Sequence, residues 1–324
     1  MRRRTQRLGG RRTTIYIIIV GLLLAAHYLY DNFAPDAAIA SQPTEEITPI
    51  EEEAPSEAAP RSRSNTRQWA ELPAMKRADK ANYITSHHSG TMRSYTVCYS
   101  SEHHSPLWVA APMHKAYTGD VKRVDNYDFD PTLPVNIQTR LNRSYGDYTR
   151  GHMLGSAERT ATTHMNNQTF YVTNIAPQLR EGFNERGGAW NNLEYFVDRQ
   201  VCADTLYVVT GAIYERFTDS DGTHIEPRTT RNKNDGEQIG VPTAYYKALL
   251  RTKSGRSGRS VMECRASELK CAAFIVGHRS AAGRKPTADD MISIKELERL
   301  TGIDFFASVP NAPESQAVAS DWGL

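Results

Sequence analysis

Between residues 93 and 276 the chain returns repeatedly to short runs of β-branched, aromatic and aliphatic residues, with no regular helical pattern between them. Arg93–Tyr99 alternates with the period of two expected of a half-buried strand, and Leu107–Ala111 reads as its neighbour. Further runs lie at Thr169–Thr173, Leu206–Thr210, Tyr245–Leu249 and Ala272–Val276. Helical signals are fewer. Trp190, Leu193, Val197 and Val201 recur at near-helical spacing, and Ser293–Glu296 is a capping box opening onto Leu297 and Leu300. A doubly wound parallel sheet requires β-α alternation, which is missing. The expected class is α+β, a mostly antiparallel central sheet flanked by helices. Walker and Rossmann glycine fingerprints and internal repeats are absent, which disfavours nucleotide-cofactor chemistry.

The ends of the 324-residue chain have a different character. Residues 1–12 form a basic tail with Arg2, Arg3, Arg4, Arg7, Arg11 and Arg12, and residues 13–31 contain the apolar run Ile15 to Ala26. Because the basic residues lie on one side only, the positive-inside rule keeps this tail in the cytoplasm and sends the rest across. Residues 13–31 are therefore expected to be a transmembrane signal-anchor, slightly short for a span of roughly 20 residues. No small-x-small site directly follows, and Ala38-Ile39-Ala40 lies far downstream, so an anchor is preferred to secretion after cleavage. Residues 32–72, rich in Ala, Pro, Glu and Ser, bury too little apolar surface to offset their ordering entropy and read as a disordered linker. Residues 73–310 then form the folded domain and residues 311–324 a C-terminal tail. This organisation places the domain on the extracytoplasmic side of a membrane.

A formal charge of +2 argues neither for nor against a polyanionic partner. Local clusters matter more: Lys122-Arg123, Arg140 to Arg150 and Arg228 to Lys233. The four cysteines, Cys98, Cys202, Cys264 and Cys271, make an even count in a chain expected to be exported, with Cys264 and Cys271 slightly favoured as a pair. They lack zinc-ligand spacing.

The residues that most constrain function are Tyr148–Met153. In extended backbone Arg150 and His152 project to the same side across Gly151, aiming a fixed positive charge and a titratable imidazole at one small anionic group. Hydrolysis of a phosphodiester needs a proton acceptor for water, charge neutralisation at the non-bridging oxygens and stabilisation of the departing alkoxide. Histidine, arginine and a divalent metal ion supply these. Downstream, Thr173–Gln178 reads as a strand end and turn, leading to Asn184 and to a helix starting near Gly188. On such a helix Asn191, Glu194 and Asp198 share a polar face, with Trp190, Leu193 and Val197 on the adjoining apolar one.

Taken in order, Arg123–Pro131, Thr149–His152, Asn174–Gln178 and Asn184–Glu194, with the ending Leu300–Phe306, resemble the DNA/RNA non-specific endonuclease family of the ββα-metal type. The resemblance spans roughly Ser94 to Phe306. It implies that His152 is the general base, that Arg150 supports the site and that Arg123 contacts phosphate. It further implies that Asn184 binds a hydrated magnesium ion, with manganese or another divalent ion as alternatives, and that Glu194 orients a metal-bound water. Arg199 lies near another family arginine, shifted by one, and joins Arg123 and Arg150 as a substrate-binding candidate. Thr149 and Asn174 are supporting residues.

Two departures qualify the match. Thr149 stands where the family motif begins with aspartate, and the spacer between asparagine and tryptophan is two residues longer, which leaves Asn191 as an alternative metal ligand to Asn184. The implied function is metal-dependent, sequence-non-specific cleavage of DNA and RNA to 5′-phosphate products. The alternatives are a catalytically inactive, membrane-tethered nucleic-acid-binding relative and a phosphodiesterase acting on small nucleotides. Implied partners are DNA and RNA through their phosphates and a membrane through the N-terminal segment. A homodimer and an inhibitor protein of unknown identity are open.

Overall fold

The structure is a computed structural model and describes residues 69–76, 79–141 and 145–324. The expected basic tail, signal-anchor and most of the linker lie outside the described residues. Among those described, no helix is long and apolar enough to cross a membrane. Contacts along the chain separate residues 1–64 from residues 65–324, and every described residue falls in the second unit.

A seven-stranded sheet organises this unit. Its strands are β1 (Asn82–Ser89), β2 (Met92–Ser100), β3 (Ser105–Met113), β6 (Leu206–Ile213), β9 (Ala244–Thr252), β10 (Leu269–Gly277) and β11 (Met291–Ile292). The order across the sheet is β11-β10-β9-β6-β3-β2-β1, and every pairing is antiparallel. Two short ribbons stand outside it: β4 (Thr149–His152) with β5 (Ile175–Gln178), and β7 (Arg228–Arg231) with β8 (Gln238–Val241). The main helices are α1 (Thr163–Gln168), α2 (Ala189–Asp198) and α3 (Ile294–Thr301).

Both faces of the central strands are covered, so neighbouring residues on one strand feed different layers. Val208 and Tyr245 pack with Trp190, Leu193 and Val197 of α2, whereas Val209 and Tyr246 pack with Ile294 and Leu297 of α3 and with Phe305 and Phe306. This double burial revises the half-buried reading of Arg93–Tyr99: Ser94 through Ser100 are all buried. A third, smaller cluster of Leu141, Tyr145, Val172, Ile175 and Ile239 supports the β4–β5 ribbon.

Several local expectations are met. Leu107–Ala111 falls in β3 and pairs with β2, and the runs at 206, 245 and 272 fall in β6, β9 and β10. Ser293 caps α3 by accepting the Glu296 N–H, and α2 begins after Gly188 with Trp190, Leu193 and Val197 buried.

Others need correction. Thr169–Thr173 is not a strand. Thr169 ends α1, its hydroxyl donating to Asn166 O at 2.7 Å, and a single helical turn follows at Val172–Asn174. Local side-chain bonding wins there over β propensity. The edge strand β1 escaped notice because its polar sequence, Asn-Tyr-Ile-Thr-Ser-His-His-Ser, suits an edge and not a core.

Both domain boundaries also move outward. Glu71, placed in the linker, is buried and pairs with Arg93 at 2.5 Å, whose guanidinium lies 4.2 Å from the Trp69 ring centre. At the other end Trp322 is buried against Phe274 and Lys270, so residues 311–324 are not a loose tail. In each case a large aromatic side chain makes docking favourable. The suggested Cys264–Cys271 pair is not formed: all four cysteines are free thiols, and both of these are buried in the α3 layer.

Gly211 lies opposite Tyr246 in the β6–β9 pairing, and a β-carbon there would overlap the Tyr246 ring. Gly211→Ala is expected to cost about 1–3 kcal/mol of stability through overpacking. Urea denaturation checks this; an unchanged midpoint would mean that the sheet gives way freely.

Candidate active site

The residues around His152 form a true ribbon. Thr149 pairs with Gln178, Arg150 with Pro177, Gly151 with Ala176 and His152 with Ile175. Alternation along β4 puts Arg150 and His152 on one face, as the sequence anticipates, and Thr149 and Gly151 on the other. Gly151 has a specific reason to be glycine: the Gln178 side chain fills the space that a β-carbon would need.

Asn174 fastens the segment that follows His152. Its Oδ1 accepts the Leu154 N–H at 2.9 Å, its Nδ2 donates to Leu154 O and Thr169 O at 2.9 and 2.7 Å, and its carbonyl accepts the Met153 N–H at 2.9 Å. A fully buried side-chain amide with its groups so engaged is a support and not a ligand. Two phenols tie β5 to its surroundings, Tyr145 through Ile175 O at 3.1 Å and Tyr245 through Pro177 O at 2.7 Å.

The His152 imidazole meets the face or edge of Phe170 at 4.9 Å and 87°, with Tyr127 at 5.9 Å. Its Nε2 is buried and has no hydrogen-bond partner among the described residues. Arg150 reaches Leu141 O at 2.9 Å, and its guanidinium stands 3.8 Å from the Tyr127 ring centre. Arg123 bonds Asp125 at 2.7 Å and lies 5.1 Å from the Phe170 ring centre. Burial, joined by the charges of Arg123 and Arg150 and partly offset by Asp125, holds the His152 pKa down at about 3. The ring is therefore neutral at neutral pH, the form a general base needs.

Asn184 ends the loop after β5. Its Nδ2 donates to Oε1 of Gln178, which leaves the Asn184 carbonyl oxygen as the ligating atom on offer. Gln178 is fully buried, and its own Nε2 is unpartnered. The loop from Leu179 to Gly187 is held by the segment from 278 to 284. Leu179 N–H donates to His278 Nε2 at 2.8 Å, Ala281 N–H to Gly182 O at 2.9 Å and Gly283 N–H to Gly187 O at 2.8 Å. That segment is pinned by Arg279 and Arg284 on the buried Asp219, at 2.9 and 2.7 Å, and by Arg284 on Asp290.

Other candidates occupy different surroundings. Asn191 accepts the Gly187 N–H at 3.2 Å and so serves the spacer. Glu194, on α2, has its carboxyl pushed up to about 7 by burial, with Lys247 opposing and Glu158 and Asp198 reinforcing the rise. None of the charges that bear on it belongs to the His152 cluster. Arg199 caps the far end of α2 and lines a cavity with Lys285 and Leu324, so it does not join Arg123 and Arg150.

Sequence reasoning passed over Gln178, Tyr127 and Phe170 as site residues, although the first two lie inside quoted motifs. His278 gave no signal at all. Its Nε2 accepts from Leu179 while Nδ1 bonds Pro242 O at 2.7 Å, a pairing that fixes the neutral Nδ1–H tautomer.

An antiparallel sheet with a separate Arg-Gly-His ribbon, followed by an asparagine loop and a helix, is the arrangement expected of a phosphodiester-cleaving enzyme. Residues 78–312 match the family described as DNA/RNA non-specific endonuclease, and the chain belongs to that family. It is 30% identical over 226 residues to a nuclease of Nostoc sp., covering 68% of this chain and 74% of that protein. Identity to Homo sapiens Endonuclease G, mitochondrial, is 25% over 222 residues, covering 67% and 68% of the two chains. Mus musculus Nuclease EXOG, mitochondrial, is 25% identical over 234 residues, 70% of this chain but 59% of that protein. The crystal structure of the EndoG/EndoGI complex shares the fold, with a TM-score of 0.53 and 23% identity over 70% of this chain and 86% of that one. The expected enzyme class, a nuclease, agrees with these relatives.

Two outcomes follow from this geometry. Gly151→Ala should push Gln178 away from Asn184 and slow nucleic-acid cleavage on the order of 10²-fold, the scale of an ångström-level misplacement; unchanged turnover would show that the Gln178–Asn184 contact is immaterial. The second concerns acid. An unfolded histidine takes up its proton near pH 6.5, whereas folded His152 resists protonation down to about 3. Its contribution is present above the unfolded value and is lost as pH falls toward the folded one. Each such group costs about 1.4 kcal/mol per pH unit in that window. Denaturation of wild type and His152→Asn at neutral and mildly acidic pH should show the variant losing less stability by that amount; parallel losses would contradict the neutral, half-buried imidazole.

Proposed function

We propose that the chain is a metal-dependent endonuclease that hydrolyses DNA and RNA without sequence preference and leaves 5′-phosphate ends. The observation that carries this reading is the His152 imidazole, its Nε2 without a hydrogen-bond partner among the described residues, packed with Phe170 and Tyr127 beside the guanidinium groups of Arg123 and Arg150. In this reading the His152 imidazole takes a proton from the attacking water. Arg123 and Arg150 neutralise the non-bridging oxygens as negative charge gathers in the transition state.

The described residues contain no group of three or more His, Cys, Asp or Glu side chains suited to a metal ion. A single neutral oxygen from Asn184 fits a cation that keeps most of its waters, as magnesium does. When bound there, such an ion supplies electrostatic stabilisation of the leaving 3′ oxygen. The family resemblance alone assigns Glu194, which sits among Lys247, Glu158 and Asp198, to a water of that ion; Asn174 holds the segment after His152, and Thr149 contributes a hydroxyl where the family pattern has a carboxylate. Contacts to phosphate carry no base information, so sequence preference is weak and binding falls as salt rises. The head is proposed to lie outside the cytoplasm, tethered through residues 13–31.

The test uses the purified full chain with plasmid DNA and with RNA, in magnesium or in EDTA. Degradation should require the metal, and His152→Ala should lower the rate on the order of 10²–10⁴-fold, the usual contribution of general base catalysis. Nucleic-acid binding without cleavage in wild type would replace this reading with the inactive relative that Thr149 favours.

A further inference from the structure

Arg228, the first residue of β7, takes no part in the mechanism above. Its Nη2 donates to the His278 carbonyl at 2.8 Å, and its guanidinium carbon stands 5.9 Å from the centre of the Tyr148 ring. Nε is buried and makes no hydrogen bond, and among the described residues no carboxylate forms a salt bridge with this side chain. A guanidinium offers five N–H donors, and one carbonyl uses only part of that capacity. The His278 imidazole, whose Nδ1 lies 3.4 Å from the same Nη2, does not compensate, because Nδ1 donates its proton to Pro242 O and Nε2 accepts the Leu179 N–H.

The location gives this unspent charge its meaning. Tyr148 leads directly into Thr149 at the start of β4. His278 touches Leu179, the residue after Gln178, and its ring lies 4.7 Å from that of Phe183, the residue before Asn184. Arg228 is thus one side chain away from both the catalytic ribbon and the asparagine loop. Gln178 contributes a second buried donor with no acceptor, its Nε2. A half-buried cation without a carboxylate partner is costly to keep, and the missing partner has the chemistry of an anionic oxygen.

We propose that Arg228 is a further substrate contact, binding a backbone phosphate that neighbours the one cleaved, on the Tyr148 side of the ribbon. This rests on the nuclease reading above. It places a cation at the start of β4 in addition to Arg123 and Arg150 beside His152, so that the polynucleotide is held on both sides of the scissile bond. Because the contact lies away from the reacting phosphorus, it contributes to binding more than to the chemical step.

Affinity of the full chain for a short fluorescent DNA duplex, measured in EDTA across a range of salt concentrations, tests the assignment. Removing one phosphate contact by Arg228→Gln should weaken binding and reduce the slope of log affinity against log salt by about one, while Arg228→Lys retains most of the slope. With metal present, Arg228→Gln should raise KM and leave kcat within a few-fold. An unchanged slope with a lowered Tm would make Arg228 a structural pin for His278 and overturn the proposal. A second measurement needs no variant: modification of Arg228 by phenylglyoxal in the wild-type chain, followed by mass spectrometry, should slow when the duplex is added. Equal modification with and without DNA would likewise overturn it. Failure of the wild type to cleave in metal counts against the nuclease reading, whereas the slope and the protection report on the Arg228 contact itself.

Discussion

The His152 imidazole packs against Phe170 with Arg123 and Arg150 close enough to bear on its charge. Protonating it would add a third positive charge to a place that already has two and has little water to screen them. Burial of the ring, with that repulsion added to it, keeps it neutral, and both work only while the ring cannot swing out to solvent. The surrounding structure serves this end. Asn174 locks the backbone on one side of His152, Tyr145 and Tyr245 clamp the partner strand, and Gly151 allows Gln178 to lie flat across the ribbon.

The same ribbon links the base to the proposed metal ligand. Gln178 covers Gly151 and accepts from Asn184, so one amide side chain couples the strand carrying His152 to the loop carrying Asn184. Bonds from Ala281 to Gly182 O and from Gly283 to Gly187 O, backed by the arginine contacts to Asp219, hold that loop on both sides of Asn184.

Much of the fold was legible because apolar runs mark buried strands whatever lies around them. β3, β6, β9 and β10 announce themselves in this way, and Gly188 and Ser293 mark helix starts through their local chemistry. Thr169–Thr173 misled because a β-branched, aromatic pentapeptide also suits a buried turn when Thr169 and Asn166 can bond locally. β1 stayed hidden because edge strands carry polar residues.

At the site, Arg150, His152 and Arg123 were readable from spacing and family pattern, and they do come together. The role of Gln178 depends on a contact with a residue on another strand, and that of His278 on a bond a hundred residues away in sequence. No local pattern records either. Arg199 shows the converse: it lies in the sequence near the family's arginine position but sits at the C-terminal end of α2, beside Lys285 and Leu324.

The most direct test of the account is the titration of His152 itself, followed by its ring signals in NMR spectra of the full chain and assigned by their loss in His152→Asn. The account predicts that these signals keep their neutral-form positions as the sample is taken below the usual histidine midpoint near 6.5, down to the acid limit of the folded state. A midpoint close to 6.5 would mean an imidazole in ordinary contact with water, and its packing against Phe170 beside Arg123 and Arg150 would no longer govern its charge.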